Sequence, residues 1–228
     1  MTEHKHQPTV AALVPMRHHS QRVPGKNMRL LDGKPLYHHI IKTLLDVPEL
    51  NSIVVDTDSS EIISGLNAAF PTVKVIDRPG HLRADDVSMN TILLHDISQV
   101  KADFYLQTHS TNPLLKAETI SCAIRAFLGA YPANDSLFSV TRLQTRLYDA
   151  RGKALNHDPR VLIQTQDLPP VYEENSCIYL FSADSLRKNG TRIGDTPILF
   201  EIDPDEALDI DEEFDFTLVD LMIKARRS

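Results

Sequence analysis

Short apolar strands alternate with helical patterns along the chain, and this alternation constrains the fold more than any other feature. Residues 10–14 read Val-Ala-Ala-Leu-Val, which is typical of a strand buried on both faces. A polar loop follows, and then a helical spacing of apolar residues over 35–45. The same order predicts strands at 52–56, 73–76 and 104–108 and helices from about 61, at 88–99 and at 119–128. We therefore predict an α/β fold with a Rossmann-like, doubly wound and mainly parallel sheet flanked by helices.

Chain length and the second half of the sequence predict one domain with a small β-rich arm. The chain has 228 residues, which suffice for one α/β domain and do not require two. Further β-rich runs are predicted at 136–141 and 177–181, and a closing helix at 214–225. Three prolines interrupt the stretch between the two β-rich runs. We expect an irregular arm over about 142–175, within a single domain spanning 1–228.

Charge and cysteine content argue against several classes of protein. Lysine and arginine number 24 against 31 acidic residues, so no basic surplus is available to bind a nucleic-acid backbone. Cys122 and Cys177 lack metal-ligand spacing and cannot form the disulfide framework of a small secreted domain. No signal peptide and no stretch as long as a membrane span is found. We expect a cytoplasmic protein that binds neither nucleic acid nor membrane.

A loop rich in cations follows the first predicted strand. It runs from Pro15 to Asn27 and contains Arg17, Arg22 and Lys26. Arginine can bind two phosphate oxygens at once, lysine adds a compact positive charge, and backbone amides can surround the remaining oxygens. The loop is not a Walker A motif, because the glycines at fixed spacing before Lys-Ser/Thr are missing. The pattern indicates a triphosphate site, and a solvated loop with chance cations is the alternative.

The order of residues in this loop resembles the cytidylyltransferase family that makes CMP-activated acidic sugars. That family includes the CMP-N-acylneuraminate and CMP-Kdo synthetases, and its pattern after an apolar strand is Arg-x-x-Ser-x-x-x-Pro-x-Lys-Asn. Here the matching residues are Arg17, Ser20, Pro24, Lys26 and Asn27. Further similar segments lie at 31–36, 54–58, 77–79 and 84–88. The resemblance implies a nucleotide-diphospho-sugar transferase-like fold and attack of a sugar hydroxyl on the α-phosphorus of CTP.

The resemblance also implies which residues bind the nucleotide. The candidates are Arg17, Ser20, Gln21, Arg22, Lys26, Asn27 and Arg78. Gln21 departs from the family, which commonly has a basic residue at that position, and Arg22 lies one place later. We therefore expect the contacts to the leaving pyrophosphate to differ from those of the family.

A second similar segment, at 104–114, resembles the family's Leu-Gln-Pro-Thr-Ser-Pro-Leu loop. By resemblance Gln107 faces the acidic sugar, and Thr108, Ser110 and Thr111 are candidates for the same wall. Strand-end capping by short polar side chains is the alternative explanation for each of these hydroxyls.

The predicted arm departs from the family at one position. Members often read Arg-Gln before a proline, whereas this chain has Thr165 and Gln166. Gln166 remains a candidate sugar contact, and Arg146 or Arg160 are candidates to replace the missing arginine. Without that arginine, a related nonulosonic acid or Kdo fits as well as N-acetylneuraminate. In the family the arm crosses to a second subunit, which implies a homodimer.

Two aspartates near the C-terminus form a candidate Mg²⁺ site. Asp209 and Asp211 resemble the family's Asp-Ile-Asp, and in an extended segment both carboxylates point to one face. An acidic run before a helix is otherwise a solvated cap. With Mg²⁺ as cofactor, the expected catalytic residues are Arg17, Lys26, Asp209 and Asp211, which act through positioning and charge neutralisation.

Two other functions remain open at this point. One is a nucleotidyltransferase of the same fold that uses another nucleotide or another sugar acid. The other is a catalytically silent module that binds a nucleotide. A nicotinamide-dependent dehydrogenase is disfavoured, because no Gly-x-Gly-x-x-Gly follows the first strand.

Overall fold

A computed structural model describes residues 7–18 and 22–225. Seven strands form one sheet, and two further short strands form a separate hairpin. The strands are β1 (Val10–Met16), β2 (Leu30–Leu31), β3 (Lys34–Pro35), β4 (Ser52–Thr57), β5 (Lys74–Asp77), β6 (Phe104–Gln107), β7 (Ser136–Leu143), β8 (Val171–Ser182) and β9 (Pro197–Glu201). The helices are α1 (Leu36–Leu45), α2 (Ser60–Ala69), α3 (Met89–Gln99), α4 (Ala117–Ala130), α5 (Ala183–Asn189) and α6 (Glu213–Ala225).

The main sheet has the order β5-β4-β1-β6-β8-β7-β9. β1 lies parallel to both β4 and β6, and β4 lies parallel to β5. β8 runs antiparallel to its two neighbours, β6 and β7, while β9 pairs with β7 in parallel. The predicted doubly wound, mainly parallel α/β fold is confirmed. The strand order turns back at β1, so the loops after β1 and β6 lie side by side at the carboxyl edge, where open α/β sheets bind ligands.

Alternation along the central strand places an apolar core on each face of the sheet. Every residue of β1 is buried. Val10, Ala12 and Val14 pack into one cluster, whereas Ala11 and Leu13 pack into another. Successive side chains of a strand point to opposite faces, so helices must cover both sides of such a strand. This is why the first strand reads as a continuous apolar run.

Serine side chains begin several of the helices. Ser59, Ser88 and Ser182 accept hydrogen bonds from the backbone N–H of Ile62, Thr91 and Ser185, respectively. Such caps satisfy amide groups that have no partner within the helix. Sequence analysis did not predict the β2–β3 hairpin, α5 or β9, which are short elements held by tertiary contacts rather than by a strong periodic pattern.

The stretch between β7 and β8 has little regular structure. Residues 144–170 contain one isolated bridge, between Tyr148 and Ala154, and a 3₁₀ turn at Thr165–Asp167. At its base the pairing of β7 with β8 shifts register between Phe138 and Val140, and Ser176 adopts a positive φ of 59°. A bulge of this kind redirects side chains and is common beside active sites. Within the described residues, no helix has the length and apolar content needed to cross a bilayer.

Candidate active site

A polar cleft of about 670 Å³ opens at the carboxyl edge of the sheet. Its volume lies within the range of pockets that hold small molecules. The loops after β1 and β6, the bulge of β8 and the segment before α6 all contribute to it. The lining residues are Pro15, Met16, Arg17, Arg22, Lys26, Asn27, Asp85, Met89, His109, Ser110, Thr111, Ser176, Arg192, Asp209 and Asp211.

The first loop is connected to the loop after β6 by a buried hydrogen-bond chain. Asn27 donates from Nδ2 to the carbonyl of Arg17 at 3.1 Å, and its Oδ1 accepts the Ser110 hydroxyl at 2.7 Å. Gly25, with φ of 62°, begins the 3₁₀ turn that holds Lys26 and Asn27. Asn27 therefore links Arg17 of the first loop to Ser110 of the loop after β6.

The cations of the first loop meet the acidic segment near the C-terminus. Arg22 donates to Oδ1 of Asp211 at 2.8 Å, and the Lys26 ammonium lies 3.5 Å from the same oxygen. Lys26 also donates to the backbone carbonyl of Ile210. Arg17, which also lines the cleft, donates to Asp85 at 3.0 Å. The first loop and the segment before α6, which lie far apart in sequence, thus meet through ion pairs at Asp211.

Asp209 presents a buried oxygen to this cleft. Its Oδ1 has no hydrogen-bond partner within the described residues. Burial raises the pKa of the Asp209 carboxyl above its ordinary value; a hydrogen bond from Thr111 acts in the opposite direction, and the charge of Asp211 adds to the increase. An ionised carboxylate in this position gains from a cation, because burial without a partner is costly.

Comparison with known proteins assigns the family. A family model described as Cytidylyltransferase matches residues 11–224, nearly the whole chain. The protein is a cytidylyltransferase. The resemblance carried by Arg17, Lys26 and Asn27 is thereby confirmed.

Several characterised relatives match this cytidylyltransferase over most of its length. The CMP-N,N'-diacetyllegionaminic acid synthase of Legionella pneumophila is 29% identical to this chain. The aligned region spans 94% of this chain and 96% of that protein. The N-acylneuraminate cytidylyltransferase A of Danio rerio is 26% identical to this chain. That aligned region spans 92% of this chain and 50% of the Danio rerio protein.

Solved structures show that the fold is shared. A CMP:2-keto-3-deoxy-manno-octonic acid synthetase complexed with CTP has a TM-score of 0.72 at 17% identity, covering 96% of this chain and 99% of that one. A 4-diphosphocytidyl-2C-methyl-D-erythritol synthase of Anaerococcus prevotii has a TM-score of 0.71 at 11% identity, covering 96% and 97%. At these identities the likeness concerns the fold alone.

The cleft of this cytidylyltransferase brings together eight of the predicted site residues. They are Arg17, Arg22, Lys26, Asn27, Ser110, Thr111, Asp209 and Asp211. Ser20 and Gln21 lie outside the described residues. Gln166 lies on the 3₁₀ turn of the arm, where its side chain is exposed and its backbone carbonyl accepts from Gln144 at 3.3 Å. It does not line the cleft of its own chain.

Arg78 lies beneath the cleft instead of lining it. Its side chain is fully buried, its Nε donates to Asp56, and one terminal nitrogen donates to the carbonyl of Met16 at 3.3 Å. Met16 itself lines the cleft. Arg78 thus supports the end of β1 from below through the Met16 carbonyl.

Asp56 and Asp96 flank Arg78 and form a buried acidic pair. Burial raises the pKa of Asp96 to about 8, and the charge of Asp56 contributes to that shift. Together with His95, each residue presents a ligand atom within 4.8 Å of the others. The Arg78 guanidinium already supplies positive charge there, and protonation of Asp96 removes the second negative charge.

Gln107 and Thr108 are also buried behind the lining. Gln107 Oε1 accepts from Arg192 at 2.5 Å, and its Nε2 donates to the carbonyl of Thr108 at 3.0 Å. Because guanidinium groups can only donate, this contact fixes which way the Gln107 amide is turned. The amide nitrogen must therefore also donate to His109 Nε2, which lies 3.1 Å away.

His109 lines the cleft as a neutral imidazole. Its Nε2 accepts from Gln107, so the ring proton is carried by Nδ1. Burial lowers the pKa of His109 to about 4, and the positive charges of Arg192 and Lys26 lower it further in the same direction. A ring with such a pKa is a poor base near neutral pH. It can orient a polar substrate group.

Sequence reasoning missed Asp85, His109, Ser176 and Arg192 as cleft residues. Asp85 and His109 lie within the segments that resemble the family, so position beside matched residues was the available signal. Arg192 had no such signal. It follows α5 in a loop that sequence analysis did not assign to any element, and only tertiary structure carries it into the cleft.

Proposed function

We propose that this cytidylyltransferase couples CTP to an acidic sugar of the nonulosonic or ulosonic class, forming a CMP-sugar and releasing pyrophosphate. One observation carries the proposal: Arg22 and Lys26 of the first loop contact Asp211 within a cleft large enough for a small molecule. The relatives named above make CMP-sugars of diacetyllegionaminic acid and acylneuraminate, which are sugar acids.

Phosphate binding is the role proposed for the cations of the first loop. Arg17, Arg22 and Lys26 line one cleft, and each currently contacts an acidic side chain. A triphosphate offers these side chains more oxygens and more negative charge than the present carboxylates do, and it can accept the same charge-assisted hydrogen bonds. As charge develops on the leaving pyrophosphate, the same cations lower the energy of the transition state.

Asp209 and Asp211 are the residues we propose to hold Mg²⁺. Their carboxylate oxygens are the ligands that Mg²⁺ prefers, and the unpartnered buried Oδ1 of Asp209 fits a cation. The ion would neutralise phosphate oxygens of CTP, which favours attack on phosphorus. Lys26 keeps Asp211 in place through the Ile210 carbonyl and the carboxylate itself.

The acceptor hydroxyl is oriented by the wall formed by the loop after β6. Ser110 and Thr111 line the cleft there, and His109 offers its Nδ1 proton. The oxygen of the sugar hydroxyl attacks the α-phosphorus while the bond from that phosphorus to the leaving pyrophosphate breaks, and the hydroxyl proton passes to solvent. No side chain has to form a covalent intermediate. The rate enhancement then comes from positioning and from charge neutralisation.

We further propose that the protein is a homodimer held by the arm at about 142–175, within a single domain. The arm exposes several apolar side chains, among them Leu155, Val161, Leu162 and Tyr172. Clusters of exposed apolar side chains mark interaction surfaces. The free cysteines, Cys122 and Cys177, suit a reducing compartment, and the cytoplasm is the location we propose.

Pyrophosphate release is the measurement that tests the proposed activity. The purified chain is incubated with Mg²⁺ and each of four nucleoside triphosphates, against a panel of Kdo, N-acetylneuraminate and N,N'-diacetyllegionaminate. We expect release with CTP and at least one of these acids, and little with the other nucleotides. CTP binding without release across the panel would identify a binding module instead.

A further inference from the structure

A half-buried arginine lies in the cleft apart from the cations of the first loop. Arg192 follows α5 and lines the cleft, and its side chain is only 16% exposed. Its guanidinium stacks on the Tyr179 ring at 3.5 Å from the ring centroid and donates to Gln107. These contacts use one face and one N–H group of a side chain that has five N–H donors.

Within the described residues, Arg192 forms one ion pair, with Glu174, and it is a long one. The two side chains lie 4.0 Å apart, which is beyond hydrogen-bond distance. By contrast, Arg17 and Arg22 lie 3.0 and 2.8 Å from their acidic partners. Burial lowers the pKa of Arg192, as expected for a cation held away from water. A buried charge of this kind is costly unless an anion completes its environment.

The loop that carries Arg192 is held firmly. The Asp135 carboxylate accepts the backbone N–H groups of Asp195 and Thr196 at 2.8 and 3.0 Å. Gly194 approaches Asp135 so closely that an added Cβ would lie 2.4 Å from its carboxylate. The Arg192 amide itself donates to Asn90 at 3.2 Å. Anchors on both sides keep the guanidinium in place before any ligand arrives, which lowers the entropic cost of binding.

We propose that Arg192 binds the carboxylate of the acidic sugar and determines the preference for acids over neutral sugars. This inference rests on the proposed cytidylyl transfer. A planar guanidinium matches a carboxylate through two parallel hydrogen bonds. Arg192 also donates to Gln107, which is buried directly behind the lining of the cleft, so the guanidinium lies beside the wall formed by the loop after β6.

Arg192 thereby fills the role left open by the missing arginine of the arm. The two arm arginines considered as replacements contact their own chain: Arg146 donates to the Ile163 carbonyl at 2.5 Å, and Arg160 pairs with Asp158 at 2.8 Å. Neither lines the cleft. Within one chain, the cation that meets the wall of the cleft beside Gln107 therefore comes from the segment that follows α5.

The decisive experiment compares an acidic sugar with its methyl ester in the wild type and in Arg192→Gln. We expect Arg192→Gln to lower kcat/KM for the acid by about 100-fold and to remove the preference for acid over ester. The KM for CTP should change by less than about threefold, because the first loop is untouched. Arg192→Lys should be intermediate, since it keeps the charge but loses the planar geometry.

Arg187→Gln is the matched control, because Arg187 lies on α5 with an exposed side chain paired to Asp184 at 3.6 Å. It should behave like the wild type, and circular dichroism should show that all three variants fold. An unchanged acid-to-ester ratio in Arg192→Gln overturns the inference, as does an equal rise in the KM for CTP.

A wild type that releases no pyrophosphate with any acid would instead overturn the proposed activity. In that event, calorimetric titration with N-acetylneuraminate and its methyl ester still decides the role of Arg192. Binding of the acid that weakens in Arg192→Gln supports the inference, and binding that does not weaken, or is absent from the wild type, contradicts it.

Discussion

At the scale of single residues, the cleft is organised by charges that compensate each other across the chain. Asp211 accepts from Arg22 and lies near Lys26, and Lys26 is further held by the Ile210 carbonyl. Each cation is therefore held in position while CTP is absent. Such fixed charges stabilise a transition state more than mobile ones, because little reorganisation is needed when the reaction occurs.

Replacing Lys26 should reduce catalysis much more than stability. Lys26→Met keeps most of the aliphatic stem but removes the charge, and we expect kcat/KM for CTP to fall by about 100-fold or more. The melting temperature should shift by only about a few degrees, because Arg22 still pairs with Asp211. Pyrophosphate release and thermal unfolding measure the two effects. Lys42→Met, at an exposed position of α1, is the control, and equal activity of both variants would contradict the assigned role.

Asp209 offers a prediction that does not depend on turnover. Its buried, unpartnered oxygen and raised pKa mean that the ionised carboxylate destabilises the metal-free protein at neutral pH. Asp209→Asn should therefore have a higher melting temperature than the wild type in EDTA. Added Mg²⁺ should raise the melting temperature of the wild type but not of the variant.

In activity assays, Asp209→Asn should need about tenfold more Mg²⁺ or should remain inactive at any concentration. Asp205→Asn, at an exposed position in the same segment, is the control. A Mg²⁺-dependent stabilisation that survives in Asp209→Asn would rule out this residue as a metal ligand.

At the scale of elements, a buried polar cluster joins α3 to the carboxyl ends of β1 and β4. Asp96 lies on α3, Asp56 on β4, and Arg78 reaches from the end of β5 to the Met16 carbonyl of β1. Removing any one charged partner leaves others buried without compensation, which is why such clusters are sensitive to substitution. The cluster supports the wall of the cleft at Met16, and its own side chains do not line the cleft.

Asp96 makes the stability of this cluster depend on pH. In the folded protein the raised pKa, about 8, keeps the carboxyl protonated up to that pH, whereas in the unfolded chain it ionises near pH 4. The unfolded state therefore binds fewer protons between these values, and the free energy of unfolding falls as pH rises through the window.

Asp96→Asn should remove this fall in the free energy of unfolding. The free energy of unfolding of the variant, measured relative to that of the wild type, should increase from about pH 4 to pH 8 and then level off. The slope should be on the order of 1 kcal/mol per pH unit at most. Urea titrations across this range measure the difference. Asp184→Asn, at an exposed carboxylate, should show no such trend. A difference that does not change with pH would show that Asp96 is ionised in the folded protein.

At the scale of the whole molecule, the arm exposes apolar side chains that a monomer leaves in water. Leu162 is 92% exposed and Val161 is 57% exposed. We expect Leu162→Asp to convert the proposed dimer to a monomer, because a charge placed in an apolar interface must be desolvated. Light scattering coupled to size exclusion measures the mass. Leu221→Asp, on the exposed face of α6, is the comparison variant.

If Gln166 reaches the sugar of the partner subunit, Leu162→Asp should also raise the KM for the sugar without changing the KM for CTP. A wild type that runs as a monomer would refute the dimer, and a dimer dissolved by Leu221→Asp alone would place the interface on α6.

Much of the fold follows from local pattern. The buried run at 10–14 predicted β1, and Ser88 predicted the start of α3, because burial period and helix capping act over a few neighbouring residues. Elements without a strong period, such as α5 and β9, were not predicted, since contacts with the rest of the sheet stabilise them.

The sequence by itself determined the chemistry available to this protein: a cationic loop after a buried strand, and an Asp-Ile-Asp segment near the end of the chain. Only the tertiary structure decided how these parts meet. It placed Arg22 against Asp211, buried Arg78 beneath the cleft, and brought Arg192 beside Gln107. The physical reason is the distance along the chain over which each kind of interaction acts. Strand and helix patterns depend on near neighbours, whereas the position of a charge in a cleft depends on strand order and loop path, which spacing along the chain does not encode.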